Sequence, residues 1–305
     1  RYFSEGEGQG PSSGDYRQAW TYLEQAQKEL DPNVTQDKLL VDYAIGRYLL
    51  DKDPRKAVTK FQNLVTAAHQ ANRLRYQFLA HFALGKAYES LEQRADAEKE
   101  YQAAVDLAEK VRETLDLEAQ RTFLDGEPIL GVKYVLAYEG LARVRLLQGN
   151  WDGALQASEY TKARAFADKL ARIFAGSSFG IDTEMLNQLN DVEKQIIANS
   201  KRIEQCQARE GDKSQIPKLE SEKNRLDGRL KDIKNKIKAR YPDFYATRFP
   251  TPLSIRQANL SPDKLLLVYK VTDTGFMVFV CKGEQILYAE FDPTPRLTLD
   301  RKIEN

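Results

Sequence analysis

The strongest constraint on this chain is a frame of small and bulky residues that recurs along its first half. Residues 83–104, ALGKAYESLEQRADAEKEYQAA, place Leu84, Gly85 and Tyr88 on one helix and Ala97, Tyr101 and Ala104 on the next. Antiparallel helices approach closely only where a Gly or Ala lies opposite a large side chain, so the alternation specifies a packed helical pair. The frame recurs upstream as Ile45-Gly46, Leu49, Ala57 and Phe61, with Asp53-Pro54 at a turn where Pro can open the second helix. Downstream it recurs as Leu141-Ala142, a turn at Gly149-Asn150-Trp151, and Ala154. Near the N-terminus, Gly14-Asp15-Tyr16, Ala19, Leu23 and Ala26 supply a turn and a second helix.

The frame fits the tetratricopeptide pattern, and four partial or complete copies predict a helical solenoid over residues 1–175. The steps between copies, roughly 40 and nearly 60 residues against a standard 34, predict longer helices than usual. LDGEP at 124–128 is a loop signal inside the longer step. The first helix of each pair lines the inner face of such an array. One residue after each small contact stand Arg47, Lys86 and Arg143, a candidate basic column, and four residues before them stand Tyr43, Phe82 and Glu139. This groove would hold an acidic peptide or a chain-terminal carboxylate by charge-assisted hydrogen bonds.

Composition narrows the partners. Lys and Arg number 46 against 45 Asp and Glu, a net charge of +1, so no global field draws the chain to nucleic acid or an anionic membrane. Direct nucleic-acid binding is not expected, nor is membrane association, because no apolar run approaches the roughly 20 residues a spanning helix needs. Cys206 and Cys281 are the only cysteines, in different predicted elements; no disulfide framework follows, and a cytoplasmic setting is the expectation. The chain begins at Arg1 rather than Met, which points to a longer parent protein.

EYTKARAFADKLARIFAG, 159–176, reads as a helix with a small stripe, Ala163 and Ala167, beside a bulky one of Phe166, Leu170, Ile173 and Phe174. From Leu186 to Tyr241 the apolar period changes. Leu186, Leu189, Val192, Ile196, Ile203 and Cys206, then Ile216, Leu219, Leu226, Leu230, Ile233 and Ile237, form two stripes separated by REGDKSQIP. They predict an antiparallel helical hairpin over 176–241, with Gly211 and Pro217 as turn residues. Its second arm ends in basic KDIKNKIKAR, an interval with no aromatics interleaved, which reads as a solvated helix end. After Pro242 comes a Pro-punctuated approach containing a short helix. LLLVYKV, FMVFVCK and QILYAEF then read as a three-stranded antiparallel meander. A three-stranded sheet uncovered on one face is a poor independent fold, so further structure is expected to complete it.

The order of parts resembles the CHAT proteases, caspase- and separase-like cysteine peptidases whose peptidase domain commonly follows tetratricopeptide repeats. The residues that carry it are ASEYTKARAFADKLA, similar to the Arg-Ala-rich helix closing the repeats in that family, the hairpin, and FPTPLSIRQANLSPDKLLLVYKVTDTGFMVFVCKGEQ, similar to the family's opening peptidase segment. The resemblance implies that 242–305 begins an α/β caspase-like domain. It also implies that the repeats sense a regulatory protein or peptide, in some relatives an RNA-guided effector in prokaryotic defence, and relay its binding to a His/Cys dyad. That dyad lies in the family beyond the opening segment.

No catalytic residue is assigned within the 305. His69 and His81 sit in repeat helices, and Cys281, inside a strand run, reads as core. No P-loop, dinucleotide fingerprint, HExxH or paired CxxC occurs, so no cofactor and no metal site is expected. The alternative function is a non-enzymatic tetratricopeptide adaptor whose sheet is a small docking module.

Overall fold

A computed structural model describes residues 13–30, 35–113, 115, 123, 132–161, 180–207, 211–249, 254–272 and 274–294. The expected LDGEP loop, residues 162–176 of the expected junction helix, residues 177–179, 208–210 and 250–253 lie outside them. The described chain is mainly helical and closes in a small antiparallel sheet. It divides into two compact units, one of residues 1–108, 127–161 and 252–305, the other of 109–126 and 162–251.

In the first unit, α1 (Ser13–Glu29) precedes α2 (Thr35–Lys52), α3 (Pro54–Gln70), α4 (Leu74–Ser90) and α5 (Arg94–Glu113), whose last turn passes into the second unit. Then come α6 (Val135–Leu147) and a helix over 151–161, here α7. Consecutive helices pack on one another, α1 on α2, α2 on α3 and α3 on α4. The small residues of the frame lie at these contacts. A Cβ added at Gly46 would collide with the Phe61 ring, and one at Gly85 would fall 2.9 Å from Tyr101. A second close approach to Tyr101 comes from α6, where a Cβ at Gly140 would fall 2.7 Å from the ring. Ala57, Phe61, Ala97, Tyr101, Ala104, Ala142 and Ala154 are buried.

Three turns share one geometry. After α3, α4 and α6 the chain enters the left-handed region at Asn72, Glu92 and Gly149, with φ of 50°, 59° and 80°. The next amide then reaches back five residues, Arg73 to the Ala68 carbonyl, Gln93 to Tyr88 and Asn150 to Arg145, at 2.9 to 3.1 Å. These are Schellman closures, which satisfy the last helical carbonyls and reverse the chain in two or three residues. Gly149 fits the geometry without strain, whereas Glu92 carries a Cβ into it. At the opposite kind of boundary, Pro54 opens α3, and Asp53 Oδ1 accepts from the Lys56 amide at 3.2 Å.

Strands β1 (Leu265–Thr272), β2 (Gly275–Lys282) and β3 (Gln285–Asp292) pair antiparallel in the order β1-β2-β3. Gly283, at φ 56°, is the first residue of the two-residue turn between β2 and β3. A bulge at Val280/Cys281 shifts the register on β3. One face carries Met277, Phe279 and Cys281, all buried. The other carries Leu265, Leu267 and Tyr269, which are 67%, 60% and 63% exposed.

The second unit is built on α8 (Thr183–Gln207) and α9 (Ile216–Arg240), which pack along each other, followed by the short α10 (Pro242–Arg248). Leu189, Val192 and Ile196 meet Leu226, Leu230, Ile233 and Ile237 in one core, the stripes expected from the sequence. Pro217 lies inside the first turn of α9 rather than in the loop, where its missing N–H costs nothing. Asn199, 5% exposed, donates to the Leu219 carbonyl at 2.8 Å and so ties the two arms in one register. No helix among the described residues is long and apolar enough to cross a membrane.

Two substitutions test the packing and turn arguments. Gly85→Ala forces a methyl against a rigid ring and should cost about 1–3 kcal/mol in urea unfolding. Glu92→Gly removes left-handed strain and should raise stability by about 0.5–1 kcal/mol, read as a higher urea midpoint at unchanged slope.

Candidate functional site

The six residues of the expected groove fall on three helices of the first unit, two each on α2, α4 and α6. In every case the cation stands four residues after its neighbour, so the two side chains share one helix face. On α2 the Arg47 guanidinium lies 6.0 Å from the Tyr43 ring centre and donates to its hydroxyl at 3.2 Å. On α4 the Lys86 ammonium lies 6.0 Å from the Phe82 ring centre. Tyr43 and Phe82 are buried, so these rings anchor the helices while the half-buried cations fold back over them.

The third rung differs. Arg143 Nε and Nη2 donate to the two carboxylate oxygens of Glu89 at 2.6 and 2.8 Å, a bidentate pair between α6 and α4. The Tyr101 hydroxyl donates to Glu89 Oε2 at 2.7 Å. Burial by itself would raise the Glu89 pKa, but the Arg143 hydrogen bonds and charge, with Tyr101, hold it below the ordinary value. Burial likewise works against the Arg143 charge, and Glu89 more than offsets it, so the guanidinium is held more firmly protonated than usual. Tyr101 is pushed well up, first by burial and then by the Glu89 charge.

The sheet closes over this rung. Arg143 Nη1 donates to Thr274 Oγ1 at 3.3 Å, and its guanidinium lies 5.8 Å from the Phe291 ring centre on β3. Glu139 faces Lys270 of β1 at 3.8 Å, and Lys270 Nζ also donates to Thr161 Oγ1 at 3.3 Å. Asp152 on α7 accepts the Ile255 amide at 2.8 Å. The structure therefore brings Arg143 and Glu139 to the sheet and leaves Arg47 and Lys86 on their own helices beside their rings. Sequence reasoning missed Glu89 and Lys270, because nothing in local spacing relates them to partners 54 and 131 residues away.

Cys281 is fully buried, and burial, then the Asp152 charge, raises its thiol pKa, the opposite of an activated nucleophile. His81 pairs with Glu100 at 2.6 Å, from α4 to α5. Among the described residues no His, Cys, Asp and Glu gather into a group able to hold a metal. Comparison with known proteins returned no matching family model, no matching curated protein and no matching solved structure.

The ion pair makes a testable demand. Glu89→Gln leaves a buried guanidinium without its charge partner and should cost about 2–3 kcal/mol at neutral pH. The folded Glu89 pKa lies below its usual 4.5, so its contribution is present above that value and is lost as pH falls through the depressed one. The stability gap between wild type and Glu89→Gln, measured by urea unfolding, should close on acidification.

Proposed function

We propose that this chain is the sensor and linker region of a tetratricopeptide CHAT-type cysteine protease, in which a protein partner held by the helical array biases a caspase-like peptidase domain. The observation that carries this reading is the two-sided character of the sheet. Its inner face rests on α6 through Arg143 and Lys270, while its outer face presents Leu265, Leu267, Tyr269 and Val271 uncovered. A sheet of this kind is one layer of an α/β domain, and its apolar outer side calls for a second layer. The helix carrying Glu139 and Arg143 is then shared by the repeat array and the peptidase sheet. Partner binding that moves α6 relative to α4 must also act on the Glu89–Arg143 pair and on the strands attached to it.

Within the array, Arg47 and Lys86, each backed by a buried ring, suit an acidic peptide or a terminal carboxylate. Arg143 serves as the internal anchor, so it belongs to the relay rather than to the groove. Two results test the reading. The gene sequence downstream of Asn305 should encode a strand followed by His-Gly and, later, a strand followed by Cys. A stop codon close to Asn305 would favour the adaptor instead. For the groove, acidic peptides selected for binding to the chain should lose about tenfold or more in affinity on Arg47→Glu/Lys86→Glu, with helical circular dichroism unchanged. Unchanged affinity would remove those two cations from the partner site.

A further inference from the structure

The whole-chain charge of +1 conceals a local excess at the foot of the helical hairpin. Between Lys231 and Phe249 stand six basic side chains and two acidic ones, Asp232 and Asp243. Sequence spacing places no aromatic among the lysines of α9, but the fold brings two beside them and a third beside Arg240. α10 turns back on α9, so that Tyr241, Phe244, Tyr245 and Phe249 pack against the open end of the hairpin core. Lys234 Nζ then lies 4.9 Å from the Phe249 ring centre, Lys238 Nζ 5.6 Å from Tyr245, and the Arg240 guanidinium 5.6 Å from Tyr241.

Several contacts fix this arrangement. Tyr241 donates to Asp182 Oδ2 at 2.5 Å, while Asp182 Oδ1 accepts the Met185 amide at 2.6 Å, tying the start of α8 to the end of α9. Arg248 spends its charge on Glu193 at 3.1 Å. On α9 Lys231, Lys236, Lys238 and Arg240 are exposed and Lys234 is half-buried, with Lys231, Lys234 and Lys238 on one side of the helix. Lys234 and Lys238 are one helical turn apart, about 6 Å along the axis, close to the separation of successive phosphates in an extended strand.

We propose that this foot binds single-stranded nucleic acid. The lysines engage phosphates, and each ring face that a lysine gives up becomes a platform for a base. The exchange conserves what the fold already satisfies: an ammonium leaves a π-face for a phosphate, and a base takes its place on the ring. A duplex presents no unstacked base to those rings. A membrane surface fits poorly, because the four aromatics are half-buried and none projects as an insertion wedge. An acidic peptide could meet the charges but would leave the rings unused.

The test uses the full 305-residue chain and a labelled oligouridylate, followed by fluorescence anisotropy across a salt series. Duplex RNA, polyglutamate and phosphatidylserine vesicles serve as competitors. Saturable binding is expected, with a log–log salt slope of about −2 to −3 for three or four phosphates neutralised. Lys234→Glu/Lys238→Glu should weaken it at least tenfold and flatten the slope, with helicity and urea midpoint checked in parallel. Tyr245→Leu/Phe249→Leu, which keeps the core filled, should weaken oligouridylate binding several-fold without altering the slope. Absence of saturable binding at low salt would overturn the proposal. So would indifference to the ring substitutions, or stronger competition by vesicles or polyglutamate than by unlabelled oligouridylate.

Discussion

The first unit depends on one aromatic side chain lodged between two glycines. Tyr101 on α5 reaches both Gly85 on α4 and Gly140 on α6, so three helices share a single contact in which no Cβ fits. Its hydroxyl ends on Glu89, and Glu89 holds Arg143. Apolar packing and the buried ion pair are therefore parts of the same contact. The ring sets how closely the helices approach, and that approach brings the carboxylate and guanidinium into bidentate range.

From that contact the sheet acquires its footing. Arg143 reaches past Glu89 to Thr274 and lies under Phe291, while Lys270 crosses from β1 to Glu139 and Thr161. A buried pair of this kind adds little net stability over an apolar alternative, but it tolerates few geometries. What it provides is a fixed relation between α4, α6 and the strands. That relation is what the proposed relay would require, since packed interfaces switch between discrete arrangements and do not deform continuously.

Much of this was legible in the sequence because the signals were local. The small residue opposite a ring at Gly46 and Gly85, the Pro at the head of α3, the glycine turn at Gly149, the heptad-like stripes of the hairpin and the alternation of three strands each follow from a few neighbouring residues. What was not legible has a common cause. The contact of Gly140 with Tyr101 joins α6 to the helix before the long irregular step, so no frame within one helical pair contains it. Glu89 and Lys270 gained their roles from partners far along the chain. The aromatics at the hairpin foot follow the lysines in sequence, and only the reversal between α9 and α10 sets them side by side.

The outer face of the sheet also bears on self-association. β1, Leu265–Thr272, lies at the border of the described sheet with Leu265, Leu267, Tyr269 and Val271 turned to water. Lys270, the charge within the strand, turns inward to Glu139, and on the outer face Lys282 stands opposite Leu265 and Glu290 opposite Val278. β1 is an edge of the described sheet, and an edge whose backbone groups stand beside exposed apolar side chains is a template for strand addition by a similar segment. The proposed second layer would therefore guard the sheet against self-association as well as complete its core.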